Sequence, residues 1–150
     1  MTELVVSGSL DKHIKHISRP AYARRYRLLV STINEELVPL GFRLPQPSRK
    51  VIGGYFTWLR LPHSLSADML ATRCKDKGNV IIAPGSVFEV PGDEGSPKFD
   101  EHVRLCWAWV DEDKLVEGVR VVGAVAREML AGGADSHVGG SGGGGFGAFK

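Results

Sequence analysis

Cysteine is scarce in this chain: Cys74 and Cys106 are the only two among 150 residues, and they are not closely spaced. Two such thiols make neither a disulfide framework nor a thiolate metal site, and they fit a reducing, cytoplasmic compartment. No uncharged apolar run is long enough for a membrane-spanning helix. Met1 to Val6 lack the basic region and the long apolar stretch of a secretory signal. Net charge is also small, +2 from 19 Lys and Arg against 17 Asp and Glu, too little to imply nucleic acid. Arg19, Arg24, Arg25 and Arg27 do cluster, as a solvated helix face or a phosphate-steering patch would.

What is present is an ordinary globular body, 43% hydrophobic, followed by a tail of another kind. Residues 132–150 read GGADSHVGGSGGGGFGAFK, which cannot bury an apolar face, so a flexible tail is expected. The remaining residues, roughly 130, suffice for one domain with one core.

The first element predicted is a long helix within residues 1–40. Leu10, Ile14 and Ile17 follow helical spacing, and Tyr22, Tyr26, Leu29, Ile33 and Leu37 continue it in a shifted phase. Pro20 lies between the two sets, so a kink or break is expected at Ser18-Arg19. After Gly41, Phe42 to Leu44 is a short strand candidate and Tyr55 to Leu61 a better one. Ser66 caps a predicted helix to about Lys77, with Met69, Leu70 and Cys74 inside and Gly78 as C-cap. Val80 to Ala83 reads as a short buried strand, residues 91–100 as a loop, and Val103 to Val110 as the strongest strand. Asp111 opens a last helix with Leu115, Val119, Val122, Ala126 and Met129 on one stripe, ended by Gly132-Gly133.

This order makes an α/β (α+β) two-layer sandwich: a small, mainly antiparallel sheet with helices on one face, preceded by the long helix. The domain proper is expected over residues 41–131. Periodicity and composition end there and name no reaction.

The ordered motifs say more. Ser9 to Ile14 leads into Arg19-Pro20-Ala21-Tyr22-Ala23-Arg24-Arg25-Tyr26. Gly53-Gly54-Tyr55-Phe56-Thr57-Trp58-Leu59, Ala83-Pro84-Gly85-Ser86-Val87-Phe88 and Val103-Arg104-Leu105 follow. The series resembles the C-terminal small domain of class I/II, fold-type-I, pyridoxal-phosphate-dependent aminotransferases, in the branch that includes aminoadipate and aromatic aminotransferases. It covers about Leu4 to Leu130.

The resemblance implies several things. The long helix would link a large and a small domain. Arg104 would bind the α-carboxylate of an amino acid or 2-oxo acid substrate, with Gly53 and Gly54 near the substrate entrance. Arginine suits that task because its planar fork offers two parallel donors and stays charged. Without the resemblance, Arg104 is an ordinary surface arginine on a strand and Gly53 and Gly54 are turn glycines; Tyr55, Phe56 and Trp58 are read first as core and second as the lining of a substrate pocket.

Transamination further needs pyridoxal phosphate on a Schiff-base lysine. The resemblance puts that lysine in the large domain, upstream of this chain. Ser48-Arg49-Lys50 is only a look-alike, directly before Gly53-Gly54. No catalytic or cofactor-binding residue is therefore assigned, and the chain alone is expected to be inactive. A large-domain or full-length aminotransferase partner is implied, with a dimer in the complete enzyme. Two alternatives stay open: a non-catalytic module docking on a full-length aminotransferase, and a ferredoxin-like domain for a small ligand. His13 and His16 permit metal ligation by spacing, but no third ligand stands near, so no metal site is assigned.

Overall fold

The computed structural model describes residues 2–45 and 54–133. Gly53, the Ser48-Arg49-Lys50 segment and the tail from residue 134 onward lie outside the described residues. Five α-helices, α1 (Thr2–Val6), α2 (Ser9–His13), α3 (Arg19–Glu36), α4 (Ala67–Gly78) and α5 (Glu112–Gly133), accompany three strands, β1 (Phe56–Arg60), β2 (Ala83–Pro84) and β3 (His102–Cys106). The sheet is antiparallel in the order β1-β3-β2, with β3 in the centre. This is the expected mixed helix and small antiparallel sheet.

The helix is not broken at Pro20. Residues Ile14–Ser18 form a π-helical turn that joins α2 to α3. Proline has no amide hydrogen to give and its ring crowds the preceding turn; a wider turn is one way a helix absorbs such a disruption. Beyond it, Leu29, Ile33 and Leu37 are fully buried and Tyr22 and Tyr26 pack against the core, as the shifted spacing predicts.

Ser66 caps α4, its hydroxyl accepting from the Met69 N–H. Leu70 and Cys74 are buried, but Met69 is half exposed and the inner position belongs to Ala67. The C-cap residue is Asn79 rather than Gly78, at φ 51°. Asparagine tolerates this left-handed conformation because its short polar side chain can bond locally. The Val80 N–H is then engaged by the Cys74 carbonyl. With its donor engaged by the helix end, Val80 has only its carbonyl left to offer a ladder. The expected strand from Val80 to Ala83 shrinks to β2, and Ile81 is 82% exposed. Similarly, Phe42 to Leu44 makes only a single bridge, Arg43 to Arg60. The strand expected to reach Val110 stops at Cys106, although the Trp107 N–H still bonds the Tyr55 carbonyl.

The core lies between the sheet and the helices. Leu59, Val103 and Leu105 face Leu29, Ile33, Leu70, Leu115, Val119, Val122 and Ala126. Each fully buried side chain of this size is worth about 1.5–3 kcal/mol. α3 and α5 run side by side, with Arg24 bonded to Glu112 at 2.7 Å and Glu36 paired with Arg127 and Arg120 further along. Such exposed pairs add about 0–1 kcal/mol each, so packing holds the helices together. Among the described residues no helix is long and apolar enough to cross a membrane.

Candidate functional site

Alternation along β1 and β3 divides their residues between two faces. Thr57, Leu59, Val103 and Leu105 point into the core. Phe56, Trp58, His102 and Arg104 therefore share the face turned away from it. Arg104 sits in the middle of this face, opposite Trp58 on one side and Ala83 on the other. Placing Phe56 and Trp58 in the core is thus incorrect: Phe56 is 45% exposed and Trp58 half-buried. Hydrophobicity suggested burial, but strand parity puts both beside the arginine.

The guanidinium carbon of Arg104 lies 4.0 Å from the Phe56 ring centroid and 4.3 Å from that of Phe88. Phe88 ends a one-turn 3-10 helix, Gly85–Phe88, directly after β2. Trp58 packs edge-on against Phe88 at 5.2 Å, with Phe99 at 5.6 Å and His102 at 6.3 Å completing an aromatic wall. Arg104 is half-buried, and apart from the strand pairing of its backbone its guanidinium makes no hydrogen bond or ion pair to another described residue. A stacked guanidinium keeps its N–H donors in its own plane, so a planar anion can approach edge to edge.

Gly54 lies in the bend before β1, two residues from Phe56. Its φ of 97° favours glycine, and a Cβ there would meet nothing within 4 Å. Tyr55 goes elsewhere: its ring packs on Tyr22, which with Tyr26 contacts Trp107.

Sequence reasoning found Arg104 but gave no role to Phe88, Phe99 or His102. The available signal was Gly85. A side chain there would overlap the Phe99 carbonyl, so this glycine marks a close backbone approach as well as a turn. The arginine cluster on α3 is largely engaged: Arg24 holds Glu112, Arg25 donates to the Ala108 carbonyl at 2.5 Å, and Arg27 to that of Ala23.

The described lysines are all exposed. Lys15, Lys77, Lys98 and Lys114 are paired with Asp11, Glu128, Glu89 and Glu117. Hydrogen bonding to Glu117 raises the Lys114 pKa, the opposite of what an amine nucleophile requires. Among the described residues, no group of three or more His, Cys, Asp or Glu is placed to hold a metal ion.

No family model matches the chain. Among curated proteins it is 36% identical over 128 residues to the uncharacterised protein YER152C of Saccharomyces cerevisiae, covering 83% of this chain and 27% of that one. To the 2-aminoadipate transaminase of Thermus thermophilus it is 31% identical over 129 residues, covering 86% and 29%. Among solved structures it matches the kynurenine aminotransferase of Pyrococcus horikoshii with a TM-score of 0.70 and 31% identity, over 85% of this chain and 29% of that one. The α-aminoadipate aminotransferase LysN of Thermus thermophilus gives 0.68 and 27%, over 86% and 30%. The chain thus spans less than a third of each relative. By sequence and fold it corresponds to the C-terminal part of pyridoxal-phosphate-dependent aminotransferases.

Proposed function

We propose that this chain is the substrate-carboxylate-binding small domain of an aminotransferase, with Arg104 as the carboxylate ligand. One observation carries the reading: Arg104 stands half-buried against two aromatic rings with no described acceptor for its guanidinium donors. A bidentate pair with a carboxylate would fix the substrate's orientation as well as its charge. Gly53 and Gly54 would allow substrate to pass close to the backbone.

In the complete enzyme, an amino group would move between an amino acid and a 2-oxo acid. Pyridoxal phosphate and its lysine are proposed to lie outside this chain. Among the described residues, the surroundings of Arg104 supply one cation and several ring faces rather than a cofactor cradle. The complete enzyme is proposed to be a cytoplasmic dimer.

A second reading, a non-catalytic module that docks on a complete aminotransferase, draws on the N-terminal helices. Val6, Leu10, Ile14 and Ile17 are 81%, 41%, 43% and 59% exposed, apolar side chains that a partner could cover.

The test of the first reading is tryptophan fluorescence of the full chain during titration with a 2-oxo acid, the Trp58 share being the part lost in Trp58→Phe while Trp107 and Trp109 remain. Weak saturable quenching, with an affinity on the order of millimolar, is expected. Arg104→Ala should abolish it, and Arg104→Lys should weaken it about ten-fold because the planar fork is lost. Equal quenching in wild type and both variants would remove Arg104 from the site.

A further inference from the structure

The two rings on Arg104 come from different elements. Phe56 opens β1, beside β3, whereas Phe88 arrives from the turn after β2. Without support, Phe88 would belong to a surface loop. Three further contacts hold it. The Ser86 hydroxyl donates to Asp68 at 2.8 Å, tying the turn to the start of α4. The Glu89 carboxylate accepts the Phe99 N–H at 2.7 Å and pairs with Lys98 at 3.3 Å. Gly85 packs directly on the Phe99 carbonyl, and Phe99 in turn packs on Trp58. Residues 85–99 thus close on themselves and on β1, with the Phe88 ring against the guanidinium.

We infer that Phe88 is a positioning residue for Arg104, holding the guanidinium by its flat face so that its edge meets a carboxylate. The inference rests on Arg104 as the carboxylate ligand. Arginine has many rotamers, and ordering the side chain before the ligand arrives removes that cost from binding. The aromatic face also favours a half-buried cation that has no counter-ion among the described residues. Phe56 alone cannot do this, because contact with one ring leaves the plane free to pivot away from it.

The experiment follows the Arg104 Nε–H resonance of the full-length, nitrogen-15-labelled chain during acetate titration, with the signal assigned by Arg104→Lys. In wild type the ring currents should set this resonance apart from other arginines, and acetate should shift it. Phe88→Leu keeps apolar bulk but removes the ring. It should move the resonance toward the exposed-arginine position and weaken acetate binding about five-fold, the size of one cation–π contact. Phe88→Trp should retain both properties.

Unchanged acetate affinity in Phe88→Leu overturns the positioning role and leaves Arg104 as ligand. An Arg104 signal that ignores acetate in wild type, yet moves in Phe88→Leu, overturns the carboxylate reading itself. Should Phe88→Leu fail to fold, Phe88→Met fills the same space without a ring and is read the same way.

Discussion

Gly85 and Phe99 are packed backbone to backbone, with no room for a methyl group between the Gly85 α-carbon and the Phe99 carbonyl oxygen. Fourteen positions apart, they close the segment that carries Phe88 onto the sheet. Gly85→Ala must push one side of this contact aside, and backbone has little freedom to yield. A loss of about 1–3 kcal/mol is expected, the usual cost of overpacking a buried site. Urea denaturation checks this; a Gly85→Ala chain as stable as wild type would show that the contact is loose.

The two thiols should behave differently. Cys74 is fully buried, and burial pushes its pKa up from 9.0 to about 11. Cys106 is exposed. A disulfide-exchange reagent should therefore label one thiol quickly and the other only on unfolding, mass spectrometry placing the fast site at Cys106. Because the folded pKa of Cys74 is raised, its contribution is complete below the unfolded value and is lost as pH rises through about 11. Wild type should lose stability over that alkaline window, and Cys74→Ala should lose less. Parallel alkaline profiles for the two would contradict the assignment.

Acid should loosen the loop around Glu89 and Glu101. The hydrogen bond from the Phe99 N–H, assisted by Lys98, holds the Glu89 carboxyl below its ordinary value. The Arg60 hydrogen bond, then His63, does the same for Glu101. Both pKa values are depressed, so their stabilisation is present above the unfolded value of about 4.3 and vanishes as pH falls through the lower folded values. Glu89→Gln should accordingly be less stable than wild type at neutral pH, with the gap closing in acid. A gap that stays constant from neutral to acid pH would deny the carboxylate's charge any part.

Much of this was readable in the sequence, for identifiable reasons. The helix stripes of α3 and α5, the Ser66 cap and the central strand around Arg104 each rest on a periodicity or a cap that survives in the fold. Failures came where backbone groups were claimed by a neighbour. The Val80 N–H went to the cap of α4, and Val80 to Ile82 lost their ladder. Phe56 and Trp58 were read by hydrophobicity, whereas strand parity decided their face. The resemblance supplied Arg104; the rings around it depend on a turn and a loop closure for which Gly85 is the one local signal.

The most direct measurement is protection of Arg104 from phenylglyoxal, an arginine-specific reagent, read residue by residue by mass spectrometry on the full chain. A 2-oxo acid should slow modification of Arg104 selectively, leaving Arg19 and Arg73 unaffected, and the corresponding ester should give no protection. Arg104 modified at the same rate with and without the acid, or protected equally by the ester, would contradict the assignment of a substrate-carboxylate site to this chain.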